Sequence, residues 1–190
     1  MSQRPDPAIA LTASDAPEAE VLVTERLLLR PHRPDDIAAY APLWRAPPDG
    51  VAFVPTLDEE GAWARLLRLV GHRRVFGFAP LLVTDRVSAV VIGEVGFARF
   101  RRGIGPDFDE APEAMWIVGR EHRGRGIAGE AMAAATAAFE ARFPGGRSVC
   151  MIDPANEASL RLAARLGFTR FGRTRRGTSD LDLFERLSDR

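Results

Sequence analysis

The residues best placed to do chemistry run from Trp116 to Met132, Trp-Ile-Val-Gly-Arg-Glu-His-Arg-Gly-Arg-Gly-Ile-Ala-Gly-Glu-Ala-Met. An apolar run of strand character breaks into a loop in which Gly124 and Gly126 flank Arg125. An alanine-rich segment follows and predicts a helix. A glycine loop between a strand and a helix N-terminus is a physical recipe for holding a phosphate. The first helical turn leaves backbone N–H groups unpaired, and the helix dipole adds partial positive charge there. Glycine lets the backbone approach a ligand with no β-carbon in the way. The expected ligand is a pyrophosphate, taken by the amides of Arg125, Gly126, Ile127, Ala128 and Gly129 beside Gly124. Arg123 or Arg125 can pair with it as well.

Two kinds of protein could own that loop. Gly124-x-Gly126-x-x-Gly129 fits a dinucleotide fingerprint, with Asp153 as a ribose-binding acid at the end of the next strand. Its position argues against this. Such a fingerprint follows the first strand of its domain, whereas this one comes after more than half of the 190 residues, with too little chain behind it for a second nucleotide-binding half. The bland reading is a helix cap with spare glycines. The third reading joins several motifs. Arg123-x-x-Gly126-x-Ala128 resembles the acyl-CoA-binding motif of the GCN5-related N-acetyltransferases (GNAT). Asn156-Glu-Ala-Ser159, followed by Leu166-Gly167-Phe168, resembles a second signature of that family. Thr24-Glu-Arg-Leu-Leu-Leu-Arg-Pro31 is similar to the opening of its ribosomal-protein N-terminal acetyltransferase branch. The resemblance covers about Val21 to Leu187.

That resemblance implies a mixed α/β (α+β) fold. Its central sheet is mostly antiparallel, with about seven strands and four helices, and is split between the fourth and fifth strands. It implies acetyl-CoA as acyl donor, its pantetheine arm in the split and its carbonyl oxygen on a backbone N–H of Ile117 or Val118. The acceptor would be a primary amine, on a small molecule or a protein N-terminus. Pro112-Glu113-Ala114-Met115-Trp116 falls in the register where related chains carry an acid, which makes Glu113 the candidate base. An apolar cleft raises the proton affinity of such a carboxylate, which suits a base working near neutrality. Glu94, Asp109 and Glu110 are reserves. Where many relatives place a thiolate-protonating tyrosine, seven residues after Asn156, this chain has Ala163. Ser159 fills the role that a serine of this helix has in the ribosomal-protein branch, or else bonds its own helix backbone. Asn156 either binds pantetheine or caps its helix. His72 and His122 read as solvated, and Cys150 as core. The missing tyrosine leaves a non-catalytic acyl-CoA-binding module as the alternative.

Several elements must position these groups. A first strand spans Val21–Pro31. A helix from Pro34 to about Trp44 is broken by Pro42, Pro47 and Pro48. A second helix, capped by Thr56 or Asp58, carries apolar residues at helical spacing through Val70, with Gly71 as its stop. Val75–Thr84 and Ser88–Phe100 predict a hairpin, with a bulge or bend at Gly93 and Gly96. Arg101–Asp107 reads as a loop, and Pro112–Val118 as the strand before the glycine loop. A helix over Ile127–Phe143, a strand over Arg147–Ile152, a helix from Asn156 to Leu166 and a hairpin of Phe168–Arg173 with Leu181–Arg186 follow. The acceptor side is expected near Trp44, Phe53, Trp63, Arg101, Arg102 and the run Arg173-Thr174-Arg175-Arg176.

Composition bounds the rest. The 190 residues suit one domain over 20–190 behind a flexible tail at 1–19. The basic and acidic residues number 26 each, so no global field recruits nucleic acid. Every one of the basic residues is arginine, never lysine. One cysteine excludes an internal disulfide and a multi-cysteine metal site. Without a transmembrane-length apolar run or a signal peptide, a cytoplasmic protein away from the membrane is expected, as monomer or homodimer.

Overall fold

The computed structural model describes residues 21–45 and 56–188. The expected tail, and Pro47, Pro48 and Phe53, lie outside the described residues. Eight strands form one sheet in the order β1-β2-β3-β4-β5-β6-β8-β7. They are β1 (Leu22–Val23), β2 (Leu27–Arg30), β3 (Leu81–Asp85), β4 (Val91–Ala98), β5 (Glu113–Val118), β6 (Arg147–Ile152), β7 (Thr169–Arg176) and β8 (Ser179–Leu187). Neighbours run antiparallel except β5 and β6, which are parallel. The helices among the described residues are α1 (Ile37–Tyr40), α2 (Pro42–Arg45), α3 (Glu59–Phe76), α4 (Pro106–Asp109), α5 (Ile127–Arg142) and α6 (Glu157–Arg165).

Sheet and helices agree with the expected fold class, and the differences are local. The expected first strand is a hairpin. The Thr24 N–H bonds the Leu27 carbonyl at 2.9 Å and the Thr24 hydroxyl oxygen accepts the Leu27 N–H at 3.0 Å, turning the chain between β1 and β2. The first helix is two short turns, because Pro42 has no N–H to continue the first. Gly71 does not stop α3. Asp58 caps its start through the Gly61 N–H at 2.8 Å, and the helix continues to Gly77, whose φ of +78° is the left-handed stop. Val75 and Phe76 are therefore helical, and the following strand begins only at Leu81. The expected loop before β5 contains the single-turn α4. The irregularity near Gly93 is a bulge: Thr84 pairs with Val91 and Val83 with Gly93, which leaves Ile92 extra. A β-carbon on Gly93 would lie 2.5 Å from the Ile117 carbonyl oxygen, so the approach of β4 to β5 there requires glycine.

Helices cover both faces. The alanines of α5 bring it close to the sheet, with Ala131 and Ala135 buried and Phe139 stacked on Phe97 at 4.3 Å between centroids. Such an aromatic pair contributes about 0.5–1.5 kcal/mol beyond its buried area. On the opposite face α1, α2 and α3 bury Tyr40, Trp44, Ala62 and Leu66 against Leu82 and Ile117. The two layers fix what stands on each side of β5. Ala114 and Val118 join the core under α5, and Ile117 joins the core under α3.

Candidate active site

β5 and β6 meet in register only at Glu113 and Val149, where the Val149 N–H donates to the Pro112 carbonyl at 2.9 Å. Beyond that pair the strands part. On its other edge β5 stays paired with β4 from Glu113 to Val118. The Gly119 N–H bonds the Ile92 carbonyl at 2.9 Å, and antiparallel ladders alternate. Ile117 therefore turns its peptide groups toward β4, while Trp116 and Val118 turn theirs toward the gap. The Arg123 Nε donates to the Val118 carbonyl at 3.0 Å, which agrees with this parity. Of the two residues expected to offer a free amide, Val118 stands on the open edge and the Ile117 amide belongs to the ladder.

The gap belongs to a cleft of about 860 Å³ that is lined from both faces of the sheet. On the α5 side it meets the glycine loop. A 3-10 turn over Arg120–His122 leads to Gly124 and Gly126, whose φ values of +71° and +76° need glycine. Gly126 opens α5 with no side-chain cap, and the first helical bond runs from the Glu130 N–H to the Gly126 carbonyl. The amides of Ile127, Ala128 and Gly129 thus lack a helical acceptor at the cleft wall. Arg123 lines the cleft. Arg125 does not, and its carbonyl accepts from the Arg26 guanidinium at 2.9 Å.

The loop is held from behind by the β1–β2 turn. Arg26 pairs with Glu130 at 2.6 Å, its backbone N–H donates to the same carboxylate at 3.0 Å, and so does the Thr24 hydroxyl. Burial alone would raise the Glu130 carboxyl, but the Thr24 and Arg26 bonds outweigh it and hold it below the usual range. The Thr-Glu-Arg phrase of the sequence thereby buttresses a loop 104 residues on.

Across the gap, α6 starts at Asn156, whose Oδ1 accepts the Ser159 N–H at 3.0 Å. That bond caps the helix, and the side-chain NH2 and the second lone pair of Oδ1 stay available to a ligand. The Ser159 hydroxyl accepts from the Trp116 indole N–H at 3.0 Å. Indole nitrogen only donates, so the serine's own proton is free for another acceptor in the cleft. Ala163 is fully buried behind this wall.

The α3 side is more charged. Glu113 is buried and accepts a fork from Arg102, Nε to Oε2 at 2.9 Å and Nη2 to Oε1 at 2.8 Å. Burial pushes its carboxyl above the usual range, against the lowering effect of Arg102 and the weaker ones of Arg176 and Arg65. Glu94 lies behind the wall with no exposed surface. It accepts from the Tyr40 hydroxyl and from Arg65, each at 2.7 Å. Arg65 in turn covers the Trp44 ring at 4.0 Å. Asp109 bonds the backbone N–H groups of Arg102 and Gly105, and Glu110 pairs with Arg101 on the surface. His72 is not solvated as expected. Its Nδ1 faces the Phe78 carbonyl at 2.7 Å and its Nε2 accepts the Arg99 N–H, which puts the proton on Nδ1. His122 and Cys150 line the cleft, and burial holds the Cys150 thiol well above its ordinary value.

Sequence reasoning missed Arg65, Arg68 and Phe100 on the α3 side of the cleft, and Trp116 as the partner of Ser159. The signal was present in α3: Gly61, Ala64, Arg65 and Arg68 recur at helical spacing and all line the cleft. Of the residues expected on the acceptor side, Trp44 and Arg102 line it. Arg173 and Arg175 pair with Asp182 and Asp180.

A strand pair parted beside a bare-amide helix start is the arrangement that the GNAT resemblance implied. The comparisons name the same family. The family described as an acetyltransferase (GNAT) domain matches residues 26–169. This chain belongs to that family. A solved structure of a protein assigned to the GnaT acetyltransferase family, from Bordetella pertussis, is 36% identical with a TM-score of 0.81, over 88% of this chain and 99% of that one. An acetyltransferase from Agrobacterium tumefaciens is 27% identical with a TM-score of 0.71, over 88% and 94%. RimL, a ribosomal alpha-N-protein acetyltransferase solved in complex with coenzyme A, shares the fold at 20% identity and a TM-score of 0.67, over 90% and 99%. No curated protein matches. No helix among the described residues is long and apolar enough to cross a membrane.

Proposed function

We propose that this chain transfers an acetyl group from acetyl-CoA to a primary amine, by direct attack while donor and acceptor are both bound. The observation that carries the reading is the parted β5–β6 pair, whose gap opens on the uncapped start of α5 and joins both faces of the sheet. RimL, of the same fold, holds coenzyme A.

The residues present fit such a donor. The amides of Gly126, Ile127, Ala128 and Gly129 would hold its pyrophosphate, with Arg123 beside them. Nothing lies within 4 Å of where a β-carbon on Gly124 would stand, so the loop leaves room for a ligand. Bound there, acetyl-CoA supplies an activated acyl group. The Val118 N–H is placed to orient a carbonyl oxygen through the edge that β5 leaves unpaired. Glu113 faces the acceptor side and takes the amine proton, directly or through water. Its two bonds to Arg102 leave further lone pairs on the carboxylate. Ser159, fixed as an acceptor by Trp116, donates a hydrogen bond to the departing sulfur, and solvent supplies the proton. The acceptor is a small-molecule amine or a protein N-terminus. The working unit is the single domain over 20–190, in the cytoplasm, as monomer or homodimer.

Incubation with acetyl-CoA and a panel of peptides, amino acids, polyamines and aminoglycosides tests the reading. Free CoA thiol appears with at least one acceptor class, at a rate proportional to enzyme. Tight CoA binding with no thiol release across the panel would instead identify an acyl-CoA-binding module.

A further inference from the structure

Three guanidiniums stand around one ring on the acceptor wall. The Arg102, Arg68 and Arg65 carbons lie 4.4, 5.8 and 5.9 Å from the Phe100 centroid. Two of them are neutralised, Arg65 by Glu94 and Arg102 by Glu113. The third is not. Among the described residues, Arg68 has no hydrogen-bond or ion-pair partner, and Glu113 is the one acid that lines the cleft. Arg68 is exposed on α3, beside the charges of Arg65 and Arg102, so its guanidinium is open to an incoming acceptor. The surrounding wall is apolar and roomy, with Trp44, Leu57, Ala64 and Met115 beside Gly61. An acceptor that was simply a cation would meet repulsion here before reaching Glu113.

We propose that the acceptor is a primary amine that carries a carboxylate, and that Arg68 binds that carboxylate while the amine reaches Glu113. This rests on the acetyltransferase reading and names its substrate class. Arg68 supplies the forked donors that match a carboxylate. Arg102 already holds Glu113, which leaves Arg68 to meet the acceptor's carboxylate. A carboxylate can come from a free amino acid or from an acidic residue next to a peptide N-terminus, and the two need separate arms in a test.

One arm compares L-phenylalanine with phenylethylamine, which differ by the carboxylate. The other compares short peptides with Asp or Asn at the second position. In the arm that matches the source, the carboxylate member has a kcat/KM about tenfold or more above its neutral partner at low salt, as expected of a charge-assisted bond. That ratio falls toward one in Arg68→Gln and recovers in part in Arg68→Lys. Ratios at or below one in both arms of the wild-type protein, or a ratio unchanged by Arg68→Gln, would overturn the proposal. If no amine is acetylated, calorimetry on the CoA-loaded protein still decides. Tighter binding of the carboxylate members, lost in Arg68→Gln, supports this substrate class while the acetyltransferase reading fails. Equal binding of both members refutes the class itself.

Discussion

Glu113→Gln lowers acetyl transfer at pH 7 by about 10²–10⁴-fold, the usual contribution of a positioned general base. The loss shrinks as pH rises, because solvent deprotonates more of the amine and the base is needed less. The acid side of the wild-type profile carries the sharper information. Burial raises the Glu113 carboxyl and Arg102 opposes that rise. As pH falls through the raised value the carboxylate takes up a proton, the base is lost and the rate falls. Arg102→Ala removes the opposing cation, so the acid limb moves to higher pH. In Glu113→Gln the limb due to this group disappears. Ser159→Ala serves as contrast, lowering the rate without moving the limb. Steady-state rates from pH 5 to 10 measure all of these. A Glu113→Gln profile parallel to wild type would remove this carboxylate from the mechanism.

Glu94→Leu destabilises the fold by about 3–5 kcal/mol, the cost of leaving a buried cation without its partner. Glu94 has no exposed surface and joins Tyr40 to Arg65, with His32 Nε2 4.0 Å away. Burial holds His32 below its ordinary pKa, so Arg65 is the cation that the variant leaves without its partner. The double variant Glu94→Leu with Arg65→Met recovers a large part of the loss, because a well-packed apolar pair can replace a buried ion pair. Denaturant unfolding gives both numbers. A single-variant loss within about 1 kcal/mol, the range of an exposed pair, would show that the network is not buried in solution. Since Arg65 covers Trp44 on the cleft wall, the same variant also weakens acceptor binding.

How much of this was legible in the chain follows from which forces were local. The helix after the glycine loop was readable because alanine favours helix, and Gly126 and the Pro144-Gly145-Gly146 run mark its ends. The helix ending before Gly167 was readable for the same kind of reason, since that residue takes φ +80°. Gly71 misled because glycine inside a helix costs only about 1 kcal/mol, and packing of Leu66 and Leu69 overrides it. The β1–β2 turn was hidden in an apolar run, because what fixes it includes Glu130, far along the chain. The bare amides of Ile127, Ala128 and Gly129 were legible because glycines and a helix start mark them, whereas nothing local told that Arg125 turns away from the cleft while Arg123 lines it. Ser159 could be named, but the Trp116 bond that directs its proton depends on two strands parting. Arg65 and Arg68 share a face of α3 by their spacing. Only the fold sets them against Glu94 and Phe100.

The most direct test is a crystal structure of the protein grown with acetyl-CoA. The diphosphate is expected on the amides of Gly126, Ile127, Ala128 and Gly129, with the pantetheine arm lying between β5 and β6 and the acyl carbonyl within hydrogen-bond reach of the Val118 N–H. A nucleotide bound elsewhere, with β5 and β6 hydrogen-bonded along their length, would contradict it.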